Sequence, residues 1–388
     1  MLNILLLANY RNDRQESMLR FAGLLESELG KSGVKVDVIR PEPYFGRIKQ
    51  GGTGLGKWLG YLDKFLIFPF ALTRRVRRMR GGDFVVHICD HSNAFYTRWL
   101  QATPHLVTCN DLLAIRSARG EFPGHVTGFT GKWLQNWICS GLMRAMRITC
   151  ISQETMRDLL RLPGISPEKV DVTYMGLNHP YAPMPRAEAL ARVEKLLGGD
   201  EPYLLHVGGN QWYKNRIGVL GIHAALEELT RAPKLVMVGP AFDREMGEFM
   251  ERHPKAAANV IPLTDVDNET LRALYSAAEL VLFPSLEEGF GWPIVEAQAC
   301  GCRVVTTQKA PMTEAGGDAA FYLPGREFGC GISEWAEGAA KVVAGALAQA
   351  DAERAEMIAK GLENAKRFGA AAMAQRYLAI YRELLYKP

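Results

Sequence analysis

The feature that most constrains this chain is an alternation. Short β-branched or apolar runs alternate with amphipathic helical stretches along nearly the whole length, the pattern of a parallel sheet covered by helices on both faces. Strands are expected at 3–8, 34–39, 84–89, 106–109, 148–151 and 170–174, and a second series at 203–207, 235–238, 260–263, 280–283, 303–306 and 320–323. Between the series lies NHPYAPMPRAEA, rich in proline and polar residues, which reads as a linker near 178–200. Three helical patterns follow the last strand, at 333–348, 351–367 and 370–386. The implied fold class is α/β, with two Rossmann-like, doubly wound parallel-sheet domains facing a central cleft. The expected domains are 1–185 and 200–367. A terminal helix over 368–388 is placed to return to the first of them.

Length supports two domains, because 388 residues exceed what one hydrophobic core sustains. Apolar residues at 48% and charged residues at 23% are those of a folded protein, not a disordered one. The seven cysteines lack metal-ligand spacing, only Cys300 and Cys302 being close-set, and read as reduced thiols of a cytoplasmic protein. The opening MLNILLLANY has no basic leader and reads as a first strand rather than a signal peptide. No apolar run approaches the ~20 residues of a membrane-spanning helix.

The net charge of +4 conceals an asymmetry. Residues 47–80 carry Arg47, Lys49, Lys57, Lys64, Arg74, Arg75, Arg77, Arg78 and Arg80 against Asp63 alone. Trp58, Leu59, Leu62, Phe65, Leu66 and Pro69 fall along one helical stripe just before RRVRRMR. Two readings stand for residues 58–80. One is a helix lying on an anionic membrane surface, at the inner face of the plasma membrane. The other is an ordinary helix between strands, its stripe toward the sheet and its arginines in water. Nucleic acid is not an expected partner, since no DNA- or RNA-binding motif accompanies the cluster.

In open α/β sheets ligands bind outside the carboxyl ends of the strands, so the loops after strands are where chemistry is sought. The stretch EEGFGWPIVEAQACG, residues 287–301, follows such a strand and enters a helix, with Pro293 suited to the first helical position. Glu296 then falls in the first turn or at its edge, and Glu288 stays in the loop. With Gly289 and Gly291 opening the backbone, the amides and the positive macrodipole end suit an anion such as a diphosphate. Two carboxylates at the same mouth suit sugar hydroxyls. A plainer reading is an acid favoured by the dipole and glycines that permit a turn. In HVGGNQWYKNR, residues 206–216, a strand ends in two glycines with Lys214 and Arg216 beyond. Cations there stabilise the charge a leaving diphosphate gains, or else are a solvated pair opening a helix.

SLEEGFGWPIVEAQACGCRVV closely resembles the signature of retaining, family-4-type glycosyltransferases of the GT-B fold (glycosyl transferases group 1), in which EGFG, a proline, EA and a later glycine recur in this order. The likeness runs through LVMVGP, LTDVDNETLRALYSAAELVLFPS and TEAGGDAAFYL, and more loosely through VVHICDHS, LVTCNDL and RITCISQETMRDLL in the first half. The resemblance implies a nucleotide-sugar donor bound by the domain at 200–367, with 1–185 on the acceptor side, Glu296 on the ribose and Glu288 on the transferred sugar. Gly289, Phe290 and Gly291 would offer backbone amides, and Lys214 would meet the diphosphate. Gly208, Gly209, Asn215 and Arg216 complete the implied donor-binding set.

The chain departs from that pattern in places. Gly209 stands where many members have an arginine, for which Arg216 is a substitute. Asn110 stands where members commonly have a histidine; it keeps hydrogen bonding but cannot act as a general base. His91, in CDHSNAFY, either faces the cleft or is a structural histidine. After the first strand the expected glycine-rich loop is replaced by ANYRNDRQESMLRF, in which Arg14 is an expected acceptor or phosphate contact. The expected function is metal-independent, cofactor-free sugar transfer to a saccharide or lipid-linked saccharide in surface polysaccharide assembly. The rivals are a nucleotide-sugar epimerase of the same architecture and a non-catalytic nucleotide-sugar-binding subunit.

Overall fold

A computed structural model of the chain describes residues 2–13, 15–48, 54–162, 164–326 and 330–386. Arg14 lies outside the described residues. All twelve expected strands form: β1 Asn3–Leu7, β2 Lys35–Ile39, β3 Phe84–Ile88, β4 His105–Cys109, β5 Arg147–Cys150 and β6 Val170–Val172, then β7 Tyr203–Val207, β8 Lys234–Val238, β9 Val260–Leu263, β10 Leu280–Phe283, β11 Val304–Thr307 and β12 Ala320–Leu323. They make two six-stranded parallel sheets, ordered β2-β1-β3-β4-β5-β6 and β12-β11-β10-β7-β8-β9. Helices cover both faces of such sheets, which is why the central strands are continuously apolar. Ile4, Leu5, Leu6 and Leu7 are wholly buried in β1, as are Leu204 and Leu205 in β7.

The chain divides into two compact units, Met1–Asn178 with Ala370–Pro388, and His179–Gly369. The linker expected near 178–200 is shorter than anticipated, because Arg186–Leu197 is a helix of the second unit. Ala189, Val193 and Leu197 recur every four residues on its buried face, and Gly198 closes it in the left-handed conformation at φ 67°. The prolines that masked this helix all precede it.

The closing helix Ala370–Tyr386 belongs to the first unit and buries Tyr377 and Tyr381. A buried polar chain ties it to the sheet: Tyr381 OH lies 2.6 Å from His87 Nδ1, His87 Nε2 lies 2.7 Å from Thr108 Oγ1, and Thr108 Oγ1 lies 3.0 Å from Tyr377 OH. Burial pushes the His87 pKa down to about 3, and His206 in the second unit shifts likewise to about 3. His105 and His223 move the same way by burial, while His91 moves up.

A lowered histidine pKa means that the unfolded chain binds more protons than the folded one below pH 6.5. The stability these histidines contribute is therefore complete above pH 6.5 and is lost as pH falls toward about 3. The slope is roughly 1.4 kcal/mol per pH unit for each such group. Calorimetric Tm is expected to fall between pH 6.5 and pH 5, above the range where carboxylates titrate. A flat Tm across that window contradicts the assignment.

Candidate functional site

A doubly wound sheet opens a ligand crevice where its strand order reverses. In the second sheet the chain runs β7, β8, β9 to one side and then places β10 on the other side of β7. Its switch point therefore lies between the carboxyl ends of β7 and β10. Those ends lead into Gly208–Gly209 and into Pro284–Gly291, the two stretches the sequence singles out. The fold brings them into contact. Lys214 Nζ pairs with Glu288 Oε1 at 2.7 Å, the Leu286 amide donates to Tyr213 O at 2.7 Å, and Asn215 Nδ2 donates to Pro284 O at 3.0 Å. The side chains of Lys214 and Glu288 are 19% and 7% exposed, so this ion pair is largely withdrawn from water.

The helix Trp292–Ala299 starts from Gly291, which sits at φ 103°. Trp292 takes the first helical position and Pro293 the second, one later than expected. Glu296 thus lies a turn inside the helix, buried, and its Oε2 accepts a hydrogen bond from Tyr275 OH at 2.9 Å. Burial, with the Glu296 carboxylate adding to it, holds the Tyr275 pKa well above the usual phenol value, so the hydroxyl remains a donor. A β-carbon at Gly291 would lie 3.1 Å from Ile294 Cδ1 on top of the strained φ. Gly291→Ala is expected to cost roughly 1–3 kcal/mol in urea unfolding. Gly247→Ala, on open helix surface, serves as control and should be neutral or slightly stabilising. Equal effects of the two changes would remove the argument from Gly291.

Phe290 packs its ring against Phe368 at 5.3 Å and is buried, so its backbone rather than its side chain is what the loop can present. Asn215 adopts φ 52°; besides donating to Pro284 O, its Oδ1 accepts from Arg326 Nη1 at 3.0 Å. Both ends of that amide are taken by protein, which makes Asn215 a brace across the switch point. Gly239, at φ 151°, lets β8 close on Gly208, whose carbonyl a β-carbon there would strike.

Arg216 opens the helix Arg216–Leu229 and is 3% exposed. Its Nη1 donates to Pro240 O at 2.8 Å and to Asn210 Oδ1, and the guanidinium lies 5.4 Å over the Phe242 ring. Its Nε and Nη2 have no hydrogen-bond partner among the described residues. Burial lowers its pKa, with Asp243 opposing. His206 donates from Nδ1 to Leu282 O at 2.8 Å, which leaves Nε2 as a buried acceptor without a partner among the described residues.

In the first sheet the switch point falls between β1 and β3. There the structure gathers Asn9, Asp90, His91, Asn93 and Asn110. Asn9 Nδ2 donates to Asp90 Oδ2 at 2.6 Å, Asn110 Nδ2 to Asp90 Oδ1 at 3.2 Å, and Asn93 Nδ2 to Asn9 Oδ1 at 3.1 Å. Burial pushes the Asp90 carboxyl up, but His91, Ser92 and Asn9 outweigh it and hold Asp90 below the usual carboxylate range. His91 Nδ1 lies 3.2 Å from Asp90 Oδ1, close enough for charge pairing though off the hydrogen-bond line. Burial lowers the His91 pKa, and Asp90 with Asp111 raises it further than burial lowers it. Asn110 Oδ1 is buried with no partner among the described residues.

Sequence reasoning missed Asp90, the centre of this network, although it adjoins His91 in CDHS. It also missed Asn9, Tyr275 and the Glu287–Lys309 ion pair beside Glu288. Their signal was position alone, each of Asn9 and Asp90 following a strand at a reversal of strand order that only the topology reveals.

Two six-stranded doubly wound sheets in one chain define the GT-B fold class. Residues 201–344 match the family of glycosyl transferases group 1, and residues 20–179 match glycosyltransferase family 4. This chain belongs to the family-4 glycosyltransferases of the GT-B fold. O-antigen chain mannosyltransferase B of Escherichia coli is 28% identical over 191 residues, covering 48% of this chain and 50% of that protein. D-inositol 3-phosphate glycosyltransferase of Kribbella flavida is 32% identical over 258 residues, covering 61% and 56%. The chain thus spans about half the length of these curated relatives. Among solved structures, sucrose-phosphate synthase from Thermosynechococcus elongatus superposes with a TM-score of 0.77 at 19% identity over 99% of each chain. Anabaena HepE in complex with UDP and glucose superposes at 0.71 with 15% identity, covering 97% of this chain and 98% of that one.

Proposed function

We propose that this protein is a retaining glycosyltransferase that moves a sugar from a nucleotide-sugar donor to a saccharide or lipid-linked saccharide. The observation that carries the reading is the withdrawn Lys214–Glu288 pair at the second switch point, beside the helix start that holds Glu296. A donor diphosphate would take Lys214 from Glu288, and the freed carboxylate would then accept hydrogen bonds from the transferred sugar. Gly208, Gly209 and the Gly289–Gly291 backbone line the approach, and Arg216 supplies a second buried cation in place of the arginine absent at Gly209.

In the proposed step the bond from the anomeric carbon to the diphosphate oxygen breaks, and the acceptor oxygen bonds that carbon on the same face. The acceptor proton passes to the leaving diphosphate oxygen, so no side-chain base is required, and Asn110 is not asked to be one. Lys214 compensates the charge developing on the leaving group. Asn110, His91 and Asp90 are assigned to the acceptor side, and neither a metal nor a cofactor is assigned a part.

The E. coli relative bears the name of an O-antigen mannosyltransferase, which supports a role in surface polysaccharide assembly. The D-inositol 3-phosphate glycosyltransferases keep a small phosphorylated acceptor among the outcomes of the test. No helix among the described residues is long and apolar enough to cross a membrane. The reading places the protein in the cytoplasm, peripheral at an anionic membrane surface through residues 58–80.

The test is a panel of nucleotide sugars in a thermal-shift assay, followed by measurement of released nucleoside diphosphate with candidate acceptors. A shift with one donor class and diphosphate release that depends on acceptor are expected. A shift without turnover on any acceptor would instead identify a non-catalytic donor-binding subunit.

A further inference from the structure

In the first unit one helical run extends from Gly54–Leu62 through a π-helical turn, Asp63–Ile67, into Phe68–Met79. Its inner face buries Phe68, Pro69, Leu72 and Val76. The larger apolar side chains at four-residue steps point outward instead: Trp58 is 63% exposed, Leu62 42%, Leu66 56% and Phe70 73%. The same step continues to Arg74 and Arg78. The stripe read from the sequence is thus divided, Phe65 and Pro69 packing inward and Trp58, Leu62 and Leu66 facing out.

Only part of the basic charge on this run is compensated. Asp63 is consumed inside, accepting from Tyr10 OH, the Phe45 amide and the Gly46 amide, each at 2.9 Å. Arg75 is held by Asp37 at 2.7 Å and Lys64 by Asp13 at 2.9 Å. Arg74, Arg77 and Arg78 are exposed and have no carboxylate in ion-pair reach among the described residues.

These three arginines rim a groove of about 760 Å³ whose floor and walls include Phe65, Leu66, Phe70 and Trp99. The floor continues into a second apolar patch. Phe65 meets Trp137 at 5.1 Å, Trp137 meets Trp133 at 5.6 Å, and Trp133 and Phe129 are 61% and 85% exposed on the helix Phe129–Arg144. Isolated exposed hydrophobic residues need no account, but a continuous aromatic surface beside an apolar cavity does.

We propose that this groove binds an anionic phospholipid of the bilayer, one acyl chain lying on Phe65, Leu66, Phe70 and Trp99 and the phosphate meeting Arg74, Arg77 and Arg78. Phe129 and Trp133 enter the interface beside it. An apolar cavity ending in three unpaired guanidinium groups is complementary to a molecule with a chain at one end and a phosphodiester at the other. Guanidinium groups bind phosphate oxygens in pairs, which distinguishes a seat for one headgroup from diffuse attraction to a charged surface. The proposal rests on the peripheral-membrane reading given above but adds a discrete site, and the two fail separately.

The test uses the full chain and two lipid forms. In the first arm the protein is co-sedimented with phosphatidylcholine vesicles containing or lacking phosphatidylglycerol. In the second, monomeric dihexanoyl phosphatidylglycerol below its micelle concentration is titrated against the tryptophan fluorescence of the protein and of Trp99→Phe, the difference between the two reporting on Trp99 among the seven tryptophans. Binding to the anionic vesicles alone is expected, together with saturable quenching by the monomeric lipid. The triple variant R74Q/R77Q/R78Q should weaken vesicle binding about a hundredfold, three charges at roughly fivefold each. L66S/F70S should abolish the monomer titration. Both variants alter exposed side chains, and an unchanged Tm and nucleotide-induced thermal shift will confirm that they fold. Vesicle binding without a monomer titration would overturn the groove and leave the surface reading standing, whereas no binding in either arm would overturn both. Equal binding to phosphatidylcholine would overturn headgroup recognition. Self-association that L66S/F70S abolishes, with no response to lipid, would show that a second copy covers the groove.

Discussion

Replacing Lys214 by methionine is expected to reduce turnover by about a hundredfold to a thousandfold, the usual range for losing a group that stabilises charge in the transition state. The same change should also destabilise the second unit, for a separable reason. Glu288, 7% exposed, would lose the ammonium now 2.7 Å away. Removing one partner of a fully buried pair costs roughly 3–5 kcal/mol, and the partial exposure of Lys214 scales this to about 1–3 kcal/mol. The two consequences part in the double variant Lys214→Met/Glu288→Gln. Neutralising the stranded carboxylate should restore most of the stability in urea unfolding, while diphosphate release stays as slow as in the single variant. Glu288→Gln alone should lower kcat with little change in donor Kd, since it frees Lys214 for the diphosphate but weakens the hold on the sugar. If turnover in the double variant recovers together with stability, Lys214 acts only as a structural counter-ion and the exchange of partners is wrong.

The strands were legible because parallel strands covered on both faces must be apolar along their whole length, as the run from Ile4 to Leu7 is. The helix Arg186–Leu197 was not, since prolines before it dominated the local reading although its own four-residue repeat was intact. In the second unit the candidate site stood out because EGFG and the lysine after two glycines lie in loops whose composition is itself unusual. Asp90 and Asn9 resisted reading because their meaning depends on strand order: they are ordinary polar residues until β3 is placed beside β1. The burial of Arg216 was hidden for a related reason. A cation after a loop reads as solvated, and only the closure of β8 on Gly208, with Phe242 beneath the guanidinium, withdraws it from water. The basic helix shows the converse, since periodicity grouped Phe65 and Pro69 with Trp58, Leu62 and Leu66 but could not say which of them the core would cover.

Glu296→Ala is expected to weaken nucleoside diphosphate binding about tenfold to a hundredfold, the loss of hydrogen bonds to a charged acceptor at roughly 1.5–3 kcal/mol. Affinity loss alone would not identify the ligand group, because Glu296 is buried and its removal also strands the Tyr275 hydroxyl that now donates to it at 2.9 Å. The discriminating measurement compares ribonucleoside and 2′- and 3′-deoxyribonucleoside diphosphates by calorimetry. In the unaltered protein at least one deoxy ligand should bind about tenfold more weakly than its ribose counterpart. In Glu296→Ala that difference should vanish, because the carboxylate that senses the hydroxyl is gone. Tyr275→Phe should retain part of the difference, since the phenol positions the carboxylate without replacing it. The phenol pKa is held high, so the Tyr275→Phe effect should not vary across neutral pH. Should the alanine variant weaken ribose and deoxyribose ligands by the same factor, Glu296 has a structural role alone and its assignment to the ribose is wrong.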